Sequence, residues 1–142
     1  MFFIDSNIFI EGLKIEGLIK AKKILNSLRD IPKSEIALNS IVKSEVVYII
    51  AFWNKILSPE EILQFLDIFS FLEINKDIDV LFSNFIKTYN LKPNDALILA
   101  TCKFHKIENL ISLDEDFKIP CEKEKINLIN SDKKLNKIIK KI

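Results

Sequence analysis

The segment FFIDSNIF, residues 2–9, sets three large apolar side chains directly before Asp5 and Ser6, two residues that favour helix starts. A short apolar run stopped in this way reads as a buried strand that hands over to a helix. Four further runs have the same character: EIAL at 35–38, FLEI at 71–74, LISL at 110–113 and INLI at 126–129. The stretches between them carry helical periodicity. Over 16–29, Ile19, Leu25 and Leu28 mix with Lys20, Lys22 and Lys23 until Pro32 closes the segment. Asn39 and Ser40 precede a long helix over 41–55, and Ser58, Pro59 and Glu61 open another that runs to about Phe69. Helices are also expected over 77–89, with Val80, Leu81, Phe85 and Ile86, and over 93–106. The tail from Ser131 places Leu135, Ile138, Ile139 and Ile142 on one helical stripe. Short strands alternating with helices predict an α/β domain whose mostly parallel sheet is covered by helices on both faces.

The chain has 142 residues, of which 49% are hydrophobic, so one sizeable core is within reach and one domain over 1–142 is expected. No repeat, linker or low-complexity block divides it. With 2 Gly, the sequence has no dinucleotide, P-loop or EF-hand motif, each of which needs glycine where the backbone turns sharply or meets phosphate. His105 is the only histidine, so a Ser-His-Asp or Cys-His nucleophile site would hang on that one residue and a histidine-rich zinc site is without material. Cys102 and Cys121 lack a C-x-x-C spacing and read as free thiols in a reducing compartment. The longest apolar run, VVYIIAFW at 46–53, is far below the ~18 residues of a membrane span, and the start MFFID has no basic region of a secretory signal. A cytoplasmic protein is expected. The 21 basic and 20 acidic side chains give a net charge of +1, so any polyanion must be caught by local patches.

Chemistry therefore rests on carboxylates. Asp5 follows FFI and Asp114 follows LISL, which puts both at the carboxyl edge of the sheet, where open α/β folds bind ligands. Asp95, in LKPNDALILA, lies in the first turn of an apolar helix. Each of these three has an ordinary explanation alone, as a cap or as a charge favoured by the helix dipole. Glu45 does not. Its helical neighbours are Ile41, Val42, Tyr48 and Ile49, so it is expected to point into apolar surroundings and to need a proton, a partner or a cation. If the four converge, two carboxylates ~5 Å apart repel by about 3 kcal/mol at an effective dielectric of 20. A hard divalent ion such as Mg²⁺ or Mn²⁺ relieves that repulsion, and it supports phosphodiester cleavage by activating water and steadying the leaving oxygen.

Four segments, FFIDSNIF at 2–9, SEVVYII at 44–50, PNDALILA at 93–100 and LISLDEDF at 110–117, resemble the PIN domain family in order and spacing. The resemblance covers nearly the whole chain and is nearest to the VapC-like toxin ribonucleases of toxin–antitoxin modules. It implies a three-layer fold with a central parallel sheet of five strands, and frequent homodimers. It also implies a Mg²⁺- or Mn²⁺-dependent endoribonuclease that acts on RNA, with an antitoxin protein as a possible partner. Asp5, Asp95 and Asp114 would hold metal directly or through water, and Glu45 would orient a water or complete the shell. Asp116 is a further candidate ligand beside Asp114, while Asn7 and Ser112 would hydrogen-bond the carboxylates from behind.

Two other classes are open at this point: a PIN-like scaffold that binds RNA or protein without cutting, and a Mg²⁺-binding receiver-type signalling module. The second usually has paired acids after its first strand and a lysine after its last. Here FFID supplies one acid and INLIN is followed by Ser131. In the helix over 41–55, Val42, Val46, Ile49, Ile50 and Trp53 form one stripe while Ile41, Tyr48 and Phe52 are apolar on another side, more than one core face needs, which sets internal burial against a dimer or antitoxin interface made with the 59–69 helix. The tail lysines Lys133, Lys134, Lys137, Lys140 and Lys141 read as a solvated face, His105 as a surface or dipole partner and Cys102 as core packing.

Overall fold

A computed structural model describes residues 1–141. Five strands alternate with eight helices: β1 (Phe2–Ile4), α1 (Ser6–Leu13), α2 (Ile19–Ser27), β2 (Ile36–Leu38), α3 (Ser40–Val47), α4 (Pro59–Leu66), β3 (Ser70–Phe71), α5 (Ile78–Tyr89), α6 (Pro93–Phe104), β4 (Asn109–Ile111), α7 (Lys118–Glu124), β5 (Asn127–Ile129) and α8 (Asp132–Ile139). The sheet order is β3-β2-β1-β4-β5 and every pairing is parallel. Strands β1, β2 and β4 are buried along their whole length, which is why they are written almost wholly in Phe, Ile, Leu and Ala.

The order of the strands positions the site. From β1 the chain steps to β2 and then β3 in one direction, whereas β4 and β5 lie on the other side of β1. Because parallel crossovers are right-handed, the two directions send their helices to opposite faces of the sheet. The packing follows: α1 rests on α2 and α3, α3 on α4, and α5 on α6. The connections leaving β1 and β4 thus part at adjacent strand ends, and a crevice opens between them. Asp5 and Asp114 stand at its two lips. The Asp5 N–H donates to the Ile111 carbonyl at 2.9 Å, which fixes the relative height of the lips.

Several boundaries differ from the expectation. The third strand is Ser70–Phe71 rather than 71–74, because β2 ends at Leu38 and Asn39 turns into α3; the Leu72 N–H makes the last contact, with the Leu38 carbonyl at 2.9 Å. The helix expected over 41–55 is α-helical only to Val47 and continues as π-helical turns over Tyr48–Trp53. The helix expected over 16–29 is confined to Ile19–Ser27, and α7 was not expected at all. Its Pro120 sits in the first turn, where the missing N–H leaves no helical bond unmade. In the tail, Leu135 is buried and Ile138 and Ile139 pack partly against the core, while Ile142 lies outside the described residues. Cys102 and Cys121 are both free and buried. No helix among the described residues is long and apolar enough to cross a membrane.

Candidate functional site

Asp5 ends β1 and caps α1. It is 4% exposed, and both of its carboxylate oxygens are engaged. Oδ1 accepts from the Ser6 N–H at 2.7 Å and lies 3.4 Å from the Ser6 hydroxyl; Oδ2 accepts from the Ser112 hydroxyl at 2.7 Å and from Asn7 Nδ2 at 3.2 Å. Ser112 and Asn7 also tie the two lips of the crevice together. The Ser112 hydroxyl accepts from Asn7 Nδ2 at 3.2 Å and from the Asp114 N–H at 3.1 Å, and the Leu113 N–H donates to Asn7 Oδ1 at 3.1 Å. That last bond is why β4 stops at Ile111 instead of running through Leu113 as expected.

Asp95 enters from the first turn of α6, behind Pro93, and is half-buried. Asp114 leaves β4 and caps the 3₁₀ turn Glu115–Phe117, with its Oδ1 accepting from the Asp116 N–H at 2.9 Å. The turn brings Asp116 back over the crevice. Carboxylate oxygens of Asp95, Asp114 and Asp116 lie within 4.8 Å of one another. Asp5 and Glu45 are not in this trio, but their charges reach it.

Burial pushes the Asp5 carboxyl up to about 6 against the hydrogen bonds from Ser112 and Ser6, and the charges of Glu45 and Asp114 add to the rise. Asp95 is pushed up to about 6 as well, first by burial and then by Asp114, Asp5 and Asp116, with Lys92 opposing. Burial also raises Glu45, where the Ser6 hydroxyl opposes and the charge of Asp95 adds. Five carboxylates thus feel one another in one crevice.

Glu45 corrects the expectation in one respect. It is half-buried, not enclosed by apolar neighbours, and it turns from α3 toward Ser6 and the aspartates. Its helix is aimed by Asn39, fully buried, whose Oδ1 caps α3 at the Val42 N–H (3.1 Å) while its Nδ2 donates to Thr101 Oγ1 on α6 at 3.1 Å. Sequence reading missed Ser6, which faces both Asp5 and Glu45, and Lys92, the cation that acts on Asp95. Ser6 adjoins Asp5 in the chain, yet only the packing of α1 on α3 reveals its second neighbour.

Among the described residues none of the five acids is in an ion pair. Every donor is a hard oxygen, and the closest three are near enough to share one ion. This donor set fits a divalent cation of the hard class, which binds a few carboxylates and keeps its remaining positions for water and substrate oxygens.

Comparison with known proteins agrees with this geometry. The PIN domain model matches residues 2–123. Ribonuclease VapC2 of Methanocaldococcus jannaschii is 42% identical over 133 residues, covering 82% of this chain and 86% of that protein. A toxin–antitoxin complex from Klebsiella pneumoniae contains a chain that superposes with a TM-score of 0.66 at 28% identity, covering 82% of this chain and 90% of its own. FitAcB from Neisseria gonorrhoeae shares the fold at a TM-score of 0.70 and 20% identity, over 92% of this chain and 97% of that one. The parallel five-stranded sheet, the acids at its carboxyl edge and the family match over most of the sequence lead to one assignment: this chain belongs to the PIN domain family.

Proposed function

We propose that this protein is a VapC-like toxin, a metal-dependent endoribonuclease that hydrolyses RNA phosphodiester bonds, with the chain from 1 to 142 acting as one domain. The observation that carries the reading is the convergence of five carboxylates, none in an ion pair among the described residues, in the crevice between β1 and β4. The names of its relatives, a VapC ribonuclease and a toxin–antitoxin complex, support it.

We assign Asp95, Asp114 and Asp116 as the carboxylates that hold Mg²⁺ or Mn²⁺. Such an ion, when bound, supplies Lewis-acid polarisation at the phosphodiester and offsets the developing negative charge. Asp5 carries a buried negative charge whose oxygens are held by Ser6, Asn7 and Ser112, so it fixes the electrostatic field and the spacing of the two lips more than it bends toward substrate. Glu45, whose carboxyl is pushed upward by burial and by the charge of Asp95, orients the attacking water and accepts its proton. Lys92, exposed at the start of α6, balances Asp95. The protein works in the cytoplasm, with an antitoxin as its partner. A homodimer forms through Tyr48, Phe52 and Trp53, which are 52%, 63% and 64% exposed.

The deciding experiment is cleavage of a mixed structured RNA pool in millimolar Mn²⁺, beside an identically purified Asp5→Asn variant. Metal-dependent cutting by the wild type alone is expected. Equal cutting by both samples identifies a contaminant or a misplaced site, and silence of both turns the reading toward a scaffold that binds without cutting or a very narrow substrate range. Thermal melts supply a second readout: Mn²⁺ is expected to raise the melting temperature of the wild type more than that of Asp95→Asn.

A further inference from the structure

A second hollow adjoins the acidic crevice. It lies between the end of α5 and the start of α7, has a volume of about 330 Å³, and is lined by Thr88, Tyr89, Glu115, Asp116, Ile119 and Lys123 among others. Asp116 belongs both to this hollow and to the carboxylate trio, so the two sites share a wall. The volume is at the lower end of the ~300–1,000 Å³ range of small-molecule sites, enough for one nucleotide unit and not for a folded element.

Its lining chooses among the parts of a nucleotide. Glu115 and Asp116 bring two carboxylates, which repel a phosphate and the carbonyl oxygens of a base but accept hydrogen bonds from exocyclic amino groups; uracil has no such group, and its one N3–H lies between two carbonyls. Ile119, 61% exposed, gives an apolar surface with no partner in the fold. Tyr89, also in the lining, is held before any ligand arrives: its ring packs on Phe85 at 5.7 Å and its hydroxyl donates to Glu124. Thr88 is also held, with its hydroxyl donating to Asn84 Oδ1 at 3.2 Å. Single-stranded RNA is recognised by splaying bases into such preformed pockets with aromatic or apolar walls. Lys123 is exposed and makes no ion pair among the described residues, which leaves its ammonium for the adjoining phosphate at the rim.

Resting on the ribonuclease reading above, we infer that this hollow seats the base next to the scissile phosphate and that Glu115 selects a base bearing an exocyclic amino group, so that uracil is disfavoured there. Glu115 is the specificity-determining residue and Ile119 and Lys123 are positioning residues.

The test is cleavage of a fully randomised single-stranded RNA in millimolar Mn²⁺, with the cut ends sequenced. Wild-type cuts are expected to be depleted of uracil at one position beside the cut. Glu115→Gln keeps the shape but replaces an acceptor with a donor, and is expected to raise the uracil share there by about threefold. The double variant Ile119→Ala/Lys123→Ala is expected to lower kcat/KM by about tenfold and flatten the preference at the same position. Lys106→Ala, an equal loss of charge beyond α6 at the opposite edge of the sheet, is expected to change neither. All four side chains are solvent-facing, and matching melting curves verify that each variant is folded. Cutting with no preference at either flank, or an unchanged preference in Glu115→Gln and the double variant, overturns the base site and leaves the ribonuclease reading standing. Absence of metal-dependent cutting by the wild type overturns that reading and this inference with it.

Discussion

At Asp5 a single buried carboxylate is surrounded by donors, and the Ser112 hydroxyl makes one of the two shortest contacts, at 2.7 Å. Ser112→Ala removes that donor together with the acceptor for the Asp114 N–H and for Asn7. The expected loss of stability is about 1–3 kcal/mol, read from urea unfolding, because buried polar partners are left unpaired. The same acids set the pH dependence. Asp5 and Asp95 both have folded values near 6, above the 3.8 of an unperturbed aspartate, so the folded state holds protons that the unfolded chain has already released. Their contribution to stability is fully present below the unfolded value and is lost as the pH rises through about 6. Metal-free protein is therefore expected to show a fall of this contribution between pH 4 and 7, seen in thermal melts as a smaller downward slope with pH for Asp95→Asn than for the wild type; an equal slope would show that Asp95 is not coupled to the cluster. These acids differ in how visible they are in the sequence. Asp5 and Asp114 are marked by the strands they end, and Glu45 by its uncompensated charge among apolar neighbours. Asp116 is marked only by adjacency to Asp114, since its return over the crevice depends on the 3₁₀ turn that Asp114 caps.

Helix α3 shows what an element adds to its residues. Its direction is set by Asn39, which uses one side-chain atom to cap the helix and another to reach Thr101 on α6. Asn39→Ala is expected to cost about 1–3 kcal/mol, more than the roughly 1 kcal/mol for Ser58→Ala at the exposed capping box of α4. Denaturation midpoints of the two variants, compared side by side, check the ranking. Local rules suffice for Ser58, where cap, proline and Glu61 are contiguous in sequence, and for the buried strands, whose apolar runs leave no alternative. They fail where an element depends on a neighbour's end. Phe71–Ile74 has the composition of a strand, but β2 offers no backbone beyond Leu38 to pair with it. They fail again at Tyr48–Trp53, where an apolar run reads as continued α-helix while the observed bonds skip further, as in the Asn54 N–H to the Ile49 carbonyl at 2.8 Å.

The widened π-helical turns have a consequence for the whole molecule. They present Tyr48, Phe52 and Trp53 together on the surface, with Tyr48 and Phe52 stacked at 5.4 Å and Trp53 edge-on to both. Beside them a groove of about 550 Å³ runs between this segment and α4, walled by Val47, Ala51 and Leu63. The sequence posed burial against interface for these side chains, and the structure leaves all three more than half exposed. A stable contact between two proteins takes about 800 Å² from each partner. That is near a tenth of the 8323 Å² surface of this chain, so a contact here would extend from the aromatic face over the groove and beyond its rim. If the homodimer forms here, Phe52→Glu/Trp53→Glu places charges where apolar faces must meet, and size-exclusion chromatography with light scattering is expected to give a dimer for the wild type and a monomer for the variant. The monomer is expected to melt no lower than the isolated wild-type chain, because neither ring is part of the core. A wild type that is monomeric at micromolar concentration would instead leave the aromatic face to an antitoxin, and a variant that stays dimeric would move the dimer contact elsewhere.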